Sequence, residues 1–325
     1  MKIAVIDDYQ DAFSKLACAA HLKGHEIKIF RDTEKDPAKF AARLQGCEAL
    51  IMTQQRSPLP KALVDQLPAS LKLLCNTGRN VGHIDLAACT ARGMIVAAAG
   101  GGLPNATAEL TWGLILTSLR SIPQEVQQLK QGVWQTTVGT GAHGKTLGIY
   151  ALGKIGSVTA QVGRAFGMKV TCWGRDASKA KAKELGYEVP ASREAFFAGA
   201  DVLCLHIPLN KETRGIVTAA DLAQMKPTAL LVNTSRAGLI ADGALVEALK
   251  KGRPGFAAID VYEEEPVTGG NHPLLKMPNV ICTPHLGYVE QGNLEKSYNI
   301  AIDSILGYAA GKPVNVLNPE ALRKK

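Results

Sequence analysis

The sequence has no clustered cysteines or histidines. Its seven cysteines are scattered without C-x-x-C spacing, and most lie inside apolar runs. An odd, dispersed set is typical of reduced core thiols, so we expect a reducing compartment, the cytoplasm. The seven histidines form no H-x-H or H-E-x-x-H motif, and none is paired with a cysteine. We therefore expect no metal site.

Long apolar runs and basic clusters are also missing. No run reaches the roughly 18 residues needed to span a bilayer, and the N-terminus MKIAVIDDYQ lacks the layout of a secretory signal. The net charge is +8, but lysines and arginines are dispersed, with no basic run beyond the Arg-Lys-Lys at the C-terminus. We expect neither a membrane nor a nucleic acid as partner.

What the chain does have is a regular alternation of short apolar runs with longer amphipathic segments. Runs of four to six residues with apolar character on both faces are typical of strands buried in a parallel sheet. They are Lys2–Ile6, Ile27–Phe30, Ala49–Thr53, Leu71–Asn76, Met94–Ala97, Thr146–Tyr150, Lys169–Trp173, Asp201–His206, Ala229–Asn233, Gly255–Asp260 and Val280–Thr283. The pattern predicts an α/β protein with parallel sheets.

The chain is long enough for two domains, and glycines with a proline at Gly100–Pro104 mark a boundary before the helical segment Asn105–Leu119. Ser121–Thr146 is polar and is expected to be irregular. We expect two doubly wound domains, one from residues 103–290 and the other from residues 1–102 with residues 291–325. The second is discontinuous because the C-terminal helix, roughly Gly292–Ala310, is expected to return to it.

A dinucleotide fingerprint opens the domain of residues 103–290. The strand Thr146–Tyr150 runs into Ala151-Leu152-Gly153-Lys154-Ile155-Gly156, then into a helical segment and the strand Lys169–Trp173. Gly153 allows the backbone to approach a pyrophosphate, Gly156 allows close packing of helix on strand, and the helix N-terminus attracts phosphates. The flanking strands make this match much stronger than the motif alone.

The end of the second strand bears on which nucleotide is bound. NAD enzymes usually have Asp or Glu there to accept from the adenosine ribose, whereas this chain has Gly174 followed by Arg175. A missing carboxylate and a guanidinium favour NADP(H). NAD(H) is the alternative, with Arg175 a surface residue and Asp176 bending back to the ribose.

Three later strands are each followed by a chemically useful side chain: Arg236, then Glu265, then His285. An arginine can hold a carboxylate, and a histidine can exchange a proton near neutral pH. A carboxylate on the second ring nitrogen fixes the tautomer and favours the imidazolium. Each residue alone has an ordinary explanation as a surface or loop residue, but their joint appearance with the fingerprint favours an oxidoreductase.

These motifs resemble the D-isomer-specific 2-hydroxyacid dehydrogenase family over nearly the whole chain. The resemblance includes Gly144–Ile149 before the fingerprint and Leu205–Leu209 with Thr213. It implies a Rossmann-type cofactor domain inserted in a flavodoxin-like substrate domain, and a homodimer whose arm contains Trp134. It also implies that Arg236 binds the substrate carboxylate, that His285 is the acid/base, and that Glu265 holds His285.

The motifs and the resemblance together give the expected binding residues. For the dinucleotide they are Thr107, Gly153, Lys154, Ile155, Gly156, Trp173, Gly174, Arg175, His206, Ile207, Pro208, Thr213, Thr234, Ser235, Arg236, Asp260, His285 and Gly287. For the substrate they are Gly78, Arg79, Asn80, Arg236 and His285, with Arg56 as a further candidate. Thr107 is expected to cap the helix that starts near Asn105.

The substrate is the least determined part of the prediction. Reduction of a small 2-oxo acid such as glyoxylate or hydroxypyruvate is favoured. The alternatives are oxidation of phosphoglycerate, with Arg56 or Arg79 on the phosphate, and a non-catalytic dinucleotide-sensing corepressor. Tyr288 and Val289 stand where relatives often have small residues, so the pocket beside His285 is expected to be reshaped.

Overall fold

The computed structural model describes residues 1–323 and divides them into two compact units. Unit 1 comprises Met1–Leu103 and the described residues from Glu290 onward, and unit 2 comprises Pro104–Val289. The functional roles expected for the two stretches of chain remain proposals.

The strands are β1 (Lys2–Val5), β2 (Glu26–Ile29), β3 (Ala49–Met52), β4 (Leu73–Asn76), β5 (Ile95–Ala98), β6 (Thr146–Tyr150), β7 (Lys169–Trp173), β8 (Val202–Leu205), β9 (Leu230–Asn233), β10 (Phe256–Ile259) and β11 (Val280–Cys282). The α-helices are α1 (Pro37–Arg43), α2 (Lys61–Val64), α3 (Leu86–Ala91), α4 (Pro104–Leu119), α5 (Ile122–Lys130), α6 (Lys154–Ala165), α7 (Asp176–Glu184), α8 (Arg193–Gly199), α9 (Ala219–Gln224), α10 (Ala244–Lys250) and α11 (Gln291–Ala309). Short 3-10 helices lie at Phe13–Lys15, Ala17–Leu22, Ala237–Leu239, Pro273–Lys276 and Pro319–Arg323.

Each unit is built on one parallel sheet. Unit 1 has the order β2-β1-β3-β4-β5, and unit 2 has the order β11-β10-β9-β8-β6-β7. Each of the eleven predicted strands is present, with ends displaced by no more than two residues. β3, β4 and β5 are buried along their whole length, which is why both faces of these strands are apolar. The predicted α/β class with two doubly wound parallel sheets is confirmed.

Helices cover both faces of the unit 2 sheet. On one face α4 packs on α6, and Trp112, Ile115 and Leu147 belong to one apolar cluster. On the other face α9 packs against α8 and α10, around Phe196 and Phe197.

The helix α11 packs on unit 1, against β4, β5 and the 3-10 helix Ala17–Leu22. The Glu295 carboxylate accepts the backbone N–H groups of Ala17 and Cys18 at 2.9 and 2.5 Å. The buried Tyr298 contacts Phe13 edge-on, with 5.3 Å between ring centroids.

The prediction that Ser121–Thr146 is irregular is wrong at its start, because α5 occupies Ile122–Lys130. Pro123 is favourable in a first helical turn, and Ile122, Val126 and Leu129 recur at helical spacing. All three are exposed, so the periodic stripe was present in the sequence but does not face the core of its own chain.

All seven cysteines are free thiols, and six are buried. Burial raises the pKa of Cys75 and Cys204 well above the ordinary thiol value. No helix within residues 1–323 combines the length and apolar character needed to cross a membrane.

Candidate active site

The candidate residues of unit 2 all lie at one edge of its sheet. Because the six strands are parallel, their carboxyl ends meet at the same edge, and a motif follows each of them. The fingerprint follows β6, Arg175 follows β7, His206 follows β8, Arg236 follows β9, Asp260 and Glu265 follow β10, and His285 follows β11. The strand order reverses between β6 and β8, and ligands of such sheets bind at this switch point.

The fingerprint turn has the shape that a dinucleotide pyrophosphate requires. A Cβ on Gly156 would lie 2.4 Å from the Ala151 carbonyl oxygen, whereas a Cβ on Gly153 would meet nothing within 4 Å. Gly153 therefore faces open space, and α6 begins directly after it at Lys154 and Ile155 without a side-chain cap. Uncapped N–H groups at a helix N-terminus bind phosphate, so these residues fit the cofactor.

The loop after β8 contains a half-buried histidine that is not protonated near neutral pH. Both ring nitrogens of His206 are shielded from solvent, and neither has a partner among the described residues. Burial lowers the pKa of His206 to about 4. Ile207 is buried and Pro208 is exposed. The Thr213 hydroxyl donates to the Pro208 carbonyl at 2.7 Å and accepts from Asn210 N–H at 2.8 Å, so it shapes this loop.

The loop after β9 is held by hydrogen bonds of the two residues that precede Arg236. Thr234 Oγ1 is paired with Thr111 Oγ1 of α4 at 2.8 Å. The Ser235 hydroxyl donates to the Leu205 carbonyl at 2.7 Å. Asn233 Nδ2 donates to the Arg236 carbonyl at 2.9 Å. The backbone that carries the guanidinium is thereby held to two neighbouring elements.

Glu265 and His285 form a direct pair. His285 Nδ1 lies 2.7 Å from Glu265 Oε2, and Glu265 Oε1 accepts from Tyr262 N–H at 3.0 Å. Both side chains are mostly buried. The carboxylate orients the ring and leaves Nε2 as the atom that can exchange a proton.

Asp260 holds the loop that carries His285. Its carboxylate is fully buried and accepts three hydrogen bonds, from Thr283 Oγ1 at 2.6 Å, Leu286 N–H at 2.7 Å and Gly287 N–H at 2.8 Å. Burial raises the pKa of Asp260, and these hydrogen bonds oppose that rise. His285 itself has a φ of 52°, in the left-handed region. The Asp260 contacts thus stabilise a backbone that few non-glycine residues adopt.

Thr107 does not cap its helix, contrary to the prediction. α4 begins at Pro104, which places Thr107 inside the first turn. Its hydroxyl donates instead to the Gly287 carbonyl at 2.8 Å, and a Cβ on Gly287 would lie only 3.2 Å from Asp260 Oδ2. Thr107 and Gly287 therefore help to stabilise the loop that follows β11 and carries His285, which we call the histidine loop.

The ring of Tyr288 lies against the imidazole of His285. Their centroids are 5.6 Å apart and the planes are inclined by 80°. Tyr288 therefore occupies space beside the imidazole that a small residue would leave open. Val289 follows it and is half-buried.

The candidate residues of unit 1 lie at the carboxyl edge of its own sheet. In the loop after β4, Asn76 Nδ2 donates to the carbonyls of Gly78 at 2.6 Å and Asn80 at 3.3 Å. Asn76 Oδ1 is buried without a partner among the described residues. Arg79 and Asn80 are exposed. The loop is therefore curled by Asn76 and presents its middle residues to solvent.

The loop after β3 carries Arg56, of which only 9% is exposed. The adjacent Ser57 hydroxyl donates to the buried Asp7 carboxylate at 2.8 Å, and Thr33 Oγ1 donates to it at 2.5 Å. Burial raises the pKa of Asp7, while these hydroxyls and the charge of Arg56 oppose the rise. Arg56 is thus a nearly buried cation beside a buried acid.

Several supporting residues escaped the sequence reasoning. Thr111, Tyr262 and Thr283 contact the candidate residues through hydrogen bonds. Thr283 directly follows a predicted strand and precedes the histidine loop, so its position was a usable signal. Thr111 had no such signal, since a threonine inside a helix is ordinary. Within residues 1–323, no group of three or more His, Cys, Asp or Glu side chains is arranged to hold a metal ion.

Comparison with known proteins agrees with this arrangement. Residues 112–287 match the model of the D-isomer specific 2-hydroxyacid dehydrogenase NAD binding domain. The chain is 36% identical over 271 residues to a glyoxylate reductase from Aeropyrum pernix, covering 80% of each chain. It is 38% identical to a D-3-phosphoglycerate dehydrogenase from Bacillus subtilis over 92% of this chain but only 57% of that protein.

A solved structure is similar over nearly the whole chain. An oxidoreductase from Ralstonia solanacearum is 48% identical, with a TM-score of 0.95 and coverage of 99% of this chain and 98% of the other.

Proposed function

The chain belongs to the D-isomer-specific 2-hydroxyacid dehydrogenases, and we propose that it reduces a small 2-oxo acid, such as glyoxylate or hydroxypyruvate, to the D-2-hydroxy acid. The observation that carries the proposal is the Glu265–His285 pair at 2.7 Å, at the sheet edge that also presents Arg236. A guanidinium, an oriented imidazole and a carboxylate are the groups that this reduction requires.

The turn at Gly153–Gly156 would hold a reduced nicotinamide dinucleotide, which would supply a hydride to C2 of the substrate. Arg236 holds the substrate carboxylate with paired N–H groups and keeps the carbonyl in one orientation. His285 donates its Nδ1–H to Glu265, so Nε2 faces the substrate oxygen and gives that oxygen a proton as the carbonyl is reduced. In the reverse direction the same nitrogen removes the hydroxyl proton. In unit 1, Gly78, Arg79 and Asn80 are the proposed substrate-binding residues.

NADP(H) is the favoured nucleotide in this proposal. Gly174 leaves no carboxylate to oppose a 2′-phosphate, and Arg175 is exposed beside it. The uncapped first turn of α6 receives the pyrophosphate. The seven free thiols support a reducing compartment, the cytoplasm.

Oxidation of phosphoglycerate is the second candidate. It is supported by two guanidiniums in unit 1, Arg56 after β3 and Arg79 after β4, since these strands are neighbours in the sheet. Such a pair can bind a phosphate in addition to the substrate carboxylate. The Bacillus subtilis relative bears the corresponding name.

A homodimer is part of the proposal. The exposed stripe of α5 continues into Val133, Trp134 and Val138, and the last two are 75% and 100% exposed. Thr136 and Thr137 donate to the Glu125 carboxylate, which keeps this arm ordered. A second copy of the chain would cover the apolar surface. Sedimentation velocity should show a dimer for the native chain and a monomer for Trp134→Glu.

The function is tested by following NADPH and NADH absorbance with a panel of 2-oxo acids, and the reduction of NADP⁺ and NAD⁺ with 3-phosphoglycerate. The proposal expects the fastest oxidation of NADPH with glyoxylate or hydroxypyruvate. Turnover confined to 3-phosphoglycerate would favour the second candidate. Turnover with none of these acids would contradict both.

A further inference from the structure

The strand β7 ends in an indole that is covered by a lysine. Lys179 Nζ lies 4.1 Å from the centroid of the Trp173 ring. Lys179 is on α7, one turn beyond Arg175, whose carbonyl accepts the Lys179 N–H. An ammonium over an aromatic face is attracted to it and loses freedom of movement. The contact therefore keeps the charge of Lys179 at the end of β7 and reduces the mobility of the side chain.

The same strand end has a backbone conformation that disfavours an acid. Gly174 has a φ of 148°, and a Cβ there would lie 3.3 Å from Ser178 and 3.5 Å from the Ala151 Cα. The Ser178 hydroxyl accepts from Leu152 N–H at 3.2 Å, which ties α7 to the fingerprint turn. A residue with the carboxylate that accepts from a ribose in NAD enzymes would be strained here by the positive φ and would press against Ser178.

The charged side chains that follow Gly174 in the sequence are mainly positive. Arg175 is exposed and Lys179 is half-buried, while Asp176 is the acid in the first turn of α7. The three together leave one net positive charge. The fixed position of Lys179 distinguishes it from Lys183, which lies one turn further along α7 and is exposed.

We infer that Lys179, held by Trp173, acts with Arg175 to bind the 2′-phosphate of NADP(H) and determines the nucleotide specificity of the enzyme. The inference rests on the NADP(H) preference proposed above and adds a residue and a mechanism to it. A phosphate monoester carries close to two negative charges near neutral pH. A planar guanidinium pairs with two of its oxygens, and an ammonium serves as a compact second charge.

The test uses two fragments that differ only in the phosphate in question, 2′,5′-ADP and 5′-AMP. Their dissociation constants are measured by isothermal titration calorimetry for the native chain, Lys179→Met, Arg175→Met and the control Lys183→Met. We expect Lys179→Met to raise the dissociation constant of 2′,5′-ADP about tenfold, which is the effect of losing one ion-paired hydrogen bond. The dissociation constant of 5′-AMP should change less than twofold. Lys183→Met should change neither fragment appreciably.

The outcomes separate this inference from the proposed cofactor preference. If the native chain prefers 2′,5′-ADP but Lys179→Met retains that preference, Lys179 has no such role, and the preference rests on Arg175. Equal weakening of both fragments by Lys179→Met would also overturn the inference, because it would indicate a general effect on the site. A native chain without preference for 2′,5′-ADP would contradict the NADP(H) proposal itself.

Discussion

The carboxyl edges of the two sheets are supported differently. In unit 2, the histidine loop is attached to a carboxylate with no exposed surface, Asp260, through three hydrogen bonds. In unit 1, the loop after β4 is curled by Asn76, and its Arg79 and Asn80 remain exposed. A buried network fixes positions tightly, whereas exposed side chains can adapt. The difference indicates that the loop of His285 in unit 2 is held more rigidly than the loop after β4 in unit 1.

Both edges nevertheless contain backbone strain. Asp7 and Gln54 in unit 1, and Ala151 and His285 in unit 2, have φ between 52° and 76° and lie just after strands. Such a conformation costs a non-glycine residue roughly 1–3 kcal/mol. Strain of this kind persists only where neighbouring contacts hold it, which is the role of Asp260 for His285.

Replacing His285 should have the largest effect. His285→Ala removes the proton donor while leaving Arg236 and the fingerprint in place, so kcat/KM for the 2-oxo acid should fall by about 10³-fold. Nucleotide affinity, measured by calorimetry, should change far less. Arg79→Ala is the matched change in unit 1 and should leave kcat nearly intact. A comparable loss of kcat in both variants would remove the distinction between the units.

Removing the buried carboxylate of each unit should give the next largest effect. Asp260→Ala frees the loop of His285, and a displacement of about 1 Å at the reacting atoms costs roughly 10²-fold in kcat. Asp7→Ala removes the partner of Ser57 in the loop of Arg56, so it should raise KM more than it lowers kcat. Circular dichroism at neutral pH controls for loss of folding. A pure KM effect in Asp260→Ala would show that Asp260 does not position the histidine.

Acidification should destabilise unit 2 through His206. Its folded pKa of about 4 lies below the ordinary value of 6.5, so between these values the unfolded chain binds a proton that the folded chain lacks. Stability is therefore complete above about pH 6.5 and is lost as the pH falls towards 4. At pH 5 the loss should be roughly 1–2 kcal/mol, and His206→Gln should abolish it.

The placement of tryptophans allows this loss to be assigned to one unit. All three, Trp112, Trp134 and Trp173, lie in unit 2, so urea unfolding followed by tryptophan fluorescence reports that unit. His83 is the matched group in unit 1, with its pKa lowered to about 4 by burial. His83→Gln should leave the fluorescence transition unchanged. If it flattens the pH dependence as much as His206→Gln does, the two units do not unfold independently.

Arg79 should give the smallest effect. It is exposed, so Arg79→Ala should raise KM for the 2-oxo acid only about fivefold, within the range of a partly solvated ion pair. An unchanged KM would indicate that the side chain of Arg79 faces away from the substrate and that the backbone of its loop acts alone.

The sequence predicted most of the fold because its signals are local. β-branched apolar runs located every strand, and the order of strands and helices in the fingerprint located the dinucleotide turn. The helix α5 was missed because its few apolar residues lie within a mostly polar stretch of sequence and are exposed in the structure. The capping role predicted for Thr107 was wrong because α4 begins earlier, at Pro104, and the actual partner of the hydroxyl, Gly287, lies far away along the chain. Likewise, spacing alone does not reveal the hydrogen bonds of Asp260, which join two strands and a loop.

The most direct test of the account is the fate of the transferred hydride. NADPH that carries deuterium in both C4 positions of the nicotinamide is incubated with hydroxypyruvate, and the glycerate is analysed by mass spectrometry and chiral chromatography. The account predicts D-glycerate with deuterium at C2, formed by the native chain at a rate that His285→Ala reduces sharply. Glycerate without deuterium at C2, or of the L configuration, would contradict it.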